Sequence, residues 1–376
     1  MVIAIGETMR ILIILAVAIG FYKIIREIYI RNCFKNISAE IDFDKKEIFQ
    51  GERCKIKISL TNKKLFPLWW ILVRYKLSKN LVFVEESNLQ KGHDNYRSEG
   101  FYLRAYEKVT REYTLLAHRR GYYEIKELEL LSGDIFSSTR LIKKYDNEAV
   151  LFVYPQQVAI EEIGLLFNKI TGELITKKNL IDDPFQLRGI REYSPFDSMK
   201  TINWKATAKS GELKVNQFDS TSSAGITILL NVEKYNEFDD MDMIERGISI
   251  AASMANEFVK RGMEVEVFSN GRDETTKKAL EVNAASYNEK IREVYEALAA
   301  LNTSKQEFTL ADLINNKIAI QKKNRVILLV SHFYSQEAKK AFKLKIEEGY
   351  SLIWIVPKIK KERENFDELE EYIVGM

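Results

Sequence analysis

Two cysteines, Cys33 and Cys54, are all that the 376 residues contain, and they form no CxxC pair. That excludes a disulfide framework and a cysteine-built zinc site, and it fits a reducing compartment. Cys54 lies in an alternating strand pattern and reads as a small buried hydrophobe. Histidine is as scarce: His93, His118 and His332 are scattered along the chain. Proline occurs only five times and no low-complexity tract is present, so little disorder is expected. No charge of one sign dominates, since 57 Lys and Arg face 54 Asp and Glu for a net +3. Nucleic-acid binding needs a basic face, and the interspersed charges offer none. The 17 glycines gather into no phosphate-cradling loop, so no cofactor is expected.

What is present is 46% hydrophobic residues, enough for real cores, over a length that suggests two or three domains. The chain opens MVIAIGETMRILIILAVAIGFYKIIREIYIRN. Its uncharged run 11–22 is short of the ~20 residues that span a bilayer. Extension back to Val2 reaches that length by including Glu7 and Arg10, and Arg10 can snorkel. Three readings compete: a single-pass anchor over 1–35, a cleaved signal peptide ending near Ala16-Val17-Ala18, and a soluble amphipathic helix. The anchor is the expectation adopted. Lys23, Arg26, Arg31 and Lys35 follow the run, against Arg10 and the amino terminus before it, which places the later domains in the cytoplasm.

Residues 36–158 carry period two. In CKIKISLTN, Cys54, Ile56, Ile58 and Leu60 alternate with polar neighbours, as a half-buried antiparallel strand requires. The series of short strands without helices predicts an antiparallel β-sandwich of immunoglobulin-like type. Trp69 and Trp70 are adjacent, so on a regular strand they face opposite ways, one of them into the core.

Residues 223–376 alternate between strands and helices. GITILLNV is a continuous apolar run, typical of a strand covered on both faces. In the next segment Ile244, Ile248, Ala251, Ala252, Ala255 and Val259 share one helical stripe. Strands at MEVEVFSN, RVILLV and SLIWIVP and a last helix at FDELEEYIV complete a doubly wound α/β parallel sheet, with 159–222 as a linking region. Ligands of such sheets lie beyond the C-terminal strand ends. Those ends carry Asn231, Glu233 and Tyr235 after the first strand, and Ser331 with His332 after RVILLV. Adjacent Ser331 and His332 make a poor nucleophile pair, with no orienting acid identifiable.

The linking region holds GIREYSPFDSMKTINWKATAKSG at 189–211. It resembles the signature of domain-of-unknown-function family 58, roughly G-x-R-x-Y-x-x-G-D-x-x-R-x-I-x-W. Gly189, Arg191, Tyr193, Asp197, Ile202, Trp204 and Ala208 match, while Phe196 replaces Gly and Lys200 replaces Arg. RRGYYEI and LLSGDIF, within 119–136, resemble a second landmark of the family. The resemblance implies no established catalytic activity, a MoxR-type AAA+ ATPase as partner, and a von Willebrand factor A-like last domain. In such domains a D-x-S-x-S loop helps hold Mg²⁺ with oxygen ligands. The matching positions here are Asn231, Glu233 and Tyr235, a degenerate set. Glu233, Asp239, Asp240 and Asp242 are the remaining acids nearby. Arg191 can grip a carboxylate, with Asp197 as candidate mate, whereas Lys200 supplies charge without a fork. Tyr193 and Trp204 bring broad surfaces. These residues serve either an interdomain clasp or a partner surface. The expectation is a membrane-anchored, non-enzymatic scaffold or adaptor. The alternatives are a hydrolase acting through Glu233, Ser331 or His332, and a metal-dependent adhesion module.

Overall fold

A computed structural model describes residues 2–84, 90–91, 96–133, 140–159, scattered positions between 164 and 172, 187–193, 202–218, 225–235, 241–261, 263–285, 291–357 and 373–375. The chain divides into two compact units, Met1–Tyr154 and Pro155–Met376.

The first unit opens with helix α1 (Val2–Asn32). The membrane anchor expected here is not upheld: no described helix is long and apolar enough to cross a membrane. The physical reason is charge spacing. From Leu12 the uncharged stretch ends at Tyr22, and Lys23, Arg26 and Glu27 follow, well short of the ~20 apolar residues a span needs. The single-pass placement with cytoplasmic domains that rested on this segment falls with it. The end of α1 is fixed to the strands that follow. Lys64 Nζ donates to Asn32 O at 2.8 Å and to Cys33 O, satisfying carbonyls that a helix terminus leaves orphaned.

Two sheets then pack face to face. One has the order β1-β3-β8-β5, from β1 (Ile37–Phe43), β3 (Arg53–Asn62), β5 (Leu81–Phe83) and β8 (Lys108–Ala117). The other runs β2-β10-β9-β4-β7-β6, from β2 (Glu47–Phe49), β4 (Leu68–Lys76), β6 (Gln90–Lys91), β7 (Tyr96–Leu103), β9 (Gly121–Gly133) and β10 (Arg140–Tyr154). All pairings are antiparallel except β2 with β10. Ile56, Ile58 and Leu115 from the first sheet and Ile71, Val73, Leu128 and Leu151 from the second form one core, as the alternation of apolar residues requires. A bulge in β10 between Asp146 and Ala149 puts Asn147 to use across the sandwich. Its amide accepts from Ile41 N at 3.0 Å and donates to Ile125 O at 2.9 Å. Trp69 and Trp70 depart from expectation. The β4 register shifts between Leu68 and Ile71, so both flanking residues are buried. Trp69 is exposed against Tyr102, and Trp70 is only half-buried. A bulge breaks the strict alternation that would send one ring inward.

In the second unit, β11 (Leu187–Glu192) and β12 (Lys214–Phe218) pair antiparallel around α2 (Trp204–Ser210). The main sheet follows in the order β15-β14-β13-β17-β18-β19, with β16 also on β14. Its strands are β13 (Gly225–Leu230), β14 (Glu264–Asp273), β15 (Ala279–Ala285), β16 (Leu301–Gln306), β17 (Val326–Val330), β18 (Ser351–Val356) and β19 (Ile373–Gly375). From β14 through β19 the pairings are parallel. β15 and β16 are antiparallel to β14, so the sheet is mixed rather than wholly parallel. The helices are α3 (Met241–Lys260), α4 (Ile291–Ala300), α5 (Leu310–Ala319) and α6 (Gln336–Glu347). Leu313, Ile314 and Phe342 of α5 and α6 cover one face through Leu229, Leu329 and Trp354. On the other face α3 approaches so closely that a Cβ on Gly247 would stand 3.2 Å from Val330. The predicted stripe of α3, from Ile244 to Val259, is buried. Of the last expected helix, 366–374, residues 366–372 lie outside the described residues, and Ile373–Gly375 is strand, its backbone completing the sheet edge beside β18.

Candidate functional site

β13 lies in the middle of the sheet. The chain leaves it for β14 on one side and later returns to β17 on the other. The gap between the ends of β13 and β17 is therefore the topological switch point, where an open α/β sheet places its ligands. Three side chains meet there: Asn231 after β13, Asn270 in β14 and Ser331 after β17. All three are buried. Asn231 Nδ2 donates to Ser331 Oγ at 2.9 Å, and Asn231 Oδ1 accepts from Asn270 Nδ2 at 2.7 Å and from Glu233 N at 3.1 Å. Asn270 Oδ1 accepts from Val232 N at 2.9 Å. Each buried amide thus has partners on both its ends, which burial demands. Asn270 escaped the sequence reading. Its signal was present, since a Ser269-Asn270 pair directly after the apolar run of β14 puts polar groups where only apolar ones pack cheaply.

Ser331 Oγ donates to Phe333 O at 2.6 Å and accepts from Asn231 and from Phe333 N at 3.1 Å. Its proton points to a carbonyl rather than to a base, so the hydroxyl is not arranged as a nucleophile. His332 stands beside Tyr235, with ring centroids 6.2 Å apart. Glu233 is elsewhere again: Oε2 accepts from Leu310 N at 2.7 Å, at the positive end of α5. Tyr235 lies over the switch point. Its hydroxyl accepts from Tyr334 N at 2.7 Å and donates to Tyr334 O at 2.9 Å, and its ring meets Phe333 at 4.4 Å. Asn231, Glu233 and Tyr235 do not fit a hard cation, which needs converging oxygens. One amide is turned to its neighbours, one carboxylate caps a helix and one phenol bridges a loop. Among the described residues no three His, Cys, Asp or Glu are grouped to hold a metal. Asp239 and Asp240 lie outside the described residues.

The signature folds into a small β-α-β module. Gly189 pairs with Gln217 and Arg191 with Val215, and Tyr193 N donates to Leu213 O at 2.9 Å. Asn203 caps α2 by accepting from Ala206 N at 2.9 Å. Gly211, at φ 74°, ends it in the left-handed conformation that glycine tolerates. Ile202 and Val215 are buried, whereas α2 buries no residue. Trp204, its first residue, is 65% exposed, and Ile190 and Leu213 are also exposed. Phe196, Asp197 and Lys200 lie outside the described residues. The structure thus brings the sheet positions 231, 270 and 331 together, and places Trp204 on a surface.

Residues 189–364 match the family model described as "Protein of unknown function DUF58". The uncharacterized protein YeaD of Bacillus subtilis (strain 168) is 19% identical over 248 residues, covering 64% of this chain and 57% of that protein. These two matches support the DUF58 family. The chain spans little more than half the length of that curated relative. The DUF58 match takes in the β-α-β module and the sheet through β18. Among solved structures, the major pilin SpaD of Corynebacterium diphtheriae is 11% identical, covering 31% of this chain and 35% of its own, at a TM-score of 0.25. The CARDB domain of the PF1109 protein from Pyrococcus furiosus, in complex with di-metal ions, is 11% identical over 31% of this chain and 97% of its own, at 0.20. A type I cohesin of Pseudobacteroides cellulosolvens is 12% identical over 31% and 91%, at 0.21. The sandwich rests on its own strand pairing, not on likeness at this level.

Proposed function

We propose that this chain is a non-enzymatic scaffold or adaptor that docks other proteins. The observation that carries the reading is the state of the switch point. A sheet of this type keeps that crevice open for a ligand, and here Asn231, Asn270 and Ser331 fill it with mutual hydrogen bonds. Counting β13 as the first strand and leaving aside β16, which pairs on β14, the order is 3-2-1-4-5-6, that of a doubly wound sheet, here with β15 antiparallel at one edge. That supports a von Willebrand factor A-like reading of the unit with its metal loop converted to structural use. The docking surface is the signature module. Trp204 is exposed on a helix that buries nothing, and tryptophan is among the residues that anchor interfaces most strongly. By the family resemblance the partner is a MoxR-type AAA+ ATPase.

Co-purification and titration of the full chain with such an ATPase test the reading. The expected result is a stable complex that Trp204→Ala weakens at unchanged melting temperature. Absence of any complex with the wild-type chain overturns the partnership. Equal binding by Trp204→Ala overturns the assignment of the surface.

A further inference from the structure

We propose that the exposed face of α2 docks on an acidic protein surface that also offers an apolar pocket. The proposal rests on the reading of the signature module as the docking surface, and it adds the chemistry of what docks there.

Helix α2 sorts its few residues sharply. Thr207 is turned to β12, its Oγ1 accepting from Lys214 N at 3.0 Å, and Ala206 beside it is half-buried. At about 3.6 residues per turn, that leaves two neighbouring rows pointing outward. Trp204 and Ala208 form one row, Lys205 and Lys209 the other, and all four are exposed. An indole ring and a methyl group therefore lie alongside two ammonium groups.

Each of these choices works against the helix taken alone. Like charges four residues apart repel. A lysine in the first turn faces the positive end of the backbone dipole, where an acid is favoured, and the first turn of α2 holds no acid. Neither Lys205 nor Lys209 makes an ion pair among the described residues. The carboxylates of the same module, Glu192 and Glu212, go to Lys214 instead, at 3.2 and 3.6 Å. Trp204 leaves most of its ring in water. Local rules broken together at one place mark a site whose compensation comes from elsewhere. A partner that brings carboxylates to Lys205 and Lys209 and a pocket to the Trp204 ring compensates all of them at once.

Nucleic acid fits the same face less well. Two ammonium groups do not make the basic stripe that tracks a phosphate backbone, and the exposed carboxylates of Glu192 and Glu212 on the same module repel one.

The test is a peptide-display selection on the full chain, counter-selected with Trp204→Ala. The expected winners carry Asp or Glu beside Phe, Leu or Trp and have a negative net charge. The best of them is synthesised, labelled and titrated by fluorescence anisotropy. The controls are the same peptide with Lys in place of each acid, and a single-stranded oligo-dT. Lys205→Glu is the deciding variant. It puts an acid at the positive end of α2 and four residues before Lys209, both favourable to the helix. It should therefore weaken peptide binding on the order of tenfold at an unchanged or raised melting temperature. Neutral or basic winners, no enrichment over Trp204→Ala, equal affinity in Lys205→Glu, or tighter binding of oligo-dT overturns the proposal. So does a loss of affinity in Lys205→Glu that comes with a loss of stability. Titration with the ATPase separates this inference from the reading beneath it. Acidic winners without an ATPase complex keep the chemistry of the face and remove that partner. An ATPase complex weakened by Trp204→Ala but indifferent to Lys205→Glu keeps the surface and overturns its acidic complement.

Discussion

Asn231 and Ser331, a hundred residues apart, share a 2.9 Å hydrogen bond that ties the end of β13 to the end of β17. The bond lies inside a network in which Asn270 and the Phe333 backbone also take part. Ser331→Ala strands the Asn231 amide and the Phe333 N–H in a buried place. An unsatisfied buried polar group costs about 1–3 kcal/mol. Chemical denaturation of the full chain, read by Trp354 fluorescence in the adjacent strand, should show a loss of that size in the second unit. A Ser331→Ala/Asn231→Leu pair should lose less than the two single changes added together, because donor and acceptor then go together.

Ile202 and Trp204 sit two residues apart in the signature, and their fates differ. Ile202 is 6% exposed and bridges Val215, whereas Trp204 is 65% exposed. Ile202→Ala removes buried methylenes and should destabilise the module by about 2–5 kcal/mol. Trp204→Ala should change stability by no more than about 0.5 kcal/mol, as is usual for surface sites. Hydrogen exchange of the β12 amides, which report on the module alone, separates the two outcomes.

Much of the fold was legible where periodicity is strong. The alternation in CKIKISLTN gave β3, with Cys54, Ile56, Ile58 and Leu60 inside, because a half-buried strand has only one way to sort its faces. The α3 stripe was legible for the corresponding helical reason. β16, LNTSKQ, was missed because a polar edge strand carries no apolar period and is specified by its pairing with β14. The Trp69–Trp70 bulge was missed because register is a property of the partner strand, not of the residues inserted. At the site, Asn231, Glu233 and Ser331 were found from their places after strands. Their roles were not legible, since hydrogen-bond partners 39 and 100 residues away leave no local mark.

Gly225 and Arg325 form a close pair at the other end of the sheet. A Cβ on Gly225 would lie 2.4 Å from Arg325 Nη1 and 2.5 Å from Cζ. The guanidinium is 7% exposed and held by Thr227, Ile226, Glu264 and Glu266, so it cannot simply swing away. Gly225→Ala should therefore destabilise by about 1–3 kcal/mol, as overpacking does. Arg325→Met in the same background should recover part of that loss, measured as a positive coupling in denaturation. Equal losses with and without Arg325 would place the strain elsewhere.

Glu99 is buried inside the sandwich, with Tyr75 OH donating to its Oε1 at 3.2 Å. Burial pushes its carboxyl above the ordinary range, while hydrogen bonds from Tyr113 and Tyr75 and the charge of Arg111 pull back in part. The folded state therefore holds this proton at pH values where the unfolded chain, with a pKa of about 4.3, has released it. Below that value both states are protonated and the contribution to stability is fully present. As pH rises the unfolded state loses its proton first, so stability falls until the raised native pKa is passed, by at most about 1.4 kcal/mol per pH unit. Glu99→Gln keeps the size and an acceptor for Tyr75 but has no proton to lose. The stability of the variant relative to wild type should therefore grow as pH rises above about 4 and level off once the raised native pKa is passed, read as the difference in denaturation midpoints. A difference that stays flat across that range would mean that Glu99 ionises alike in both states, and that the sandwich tolerates its charge.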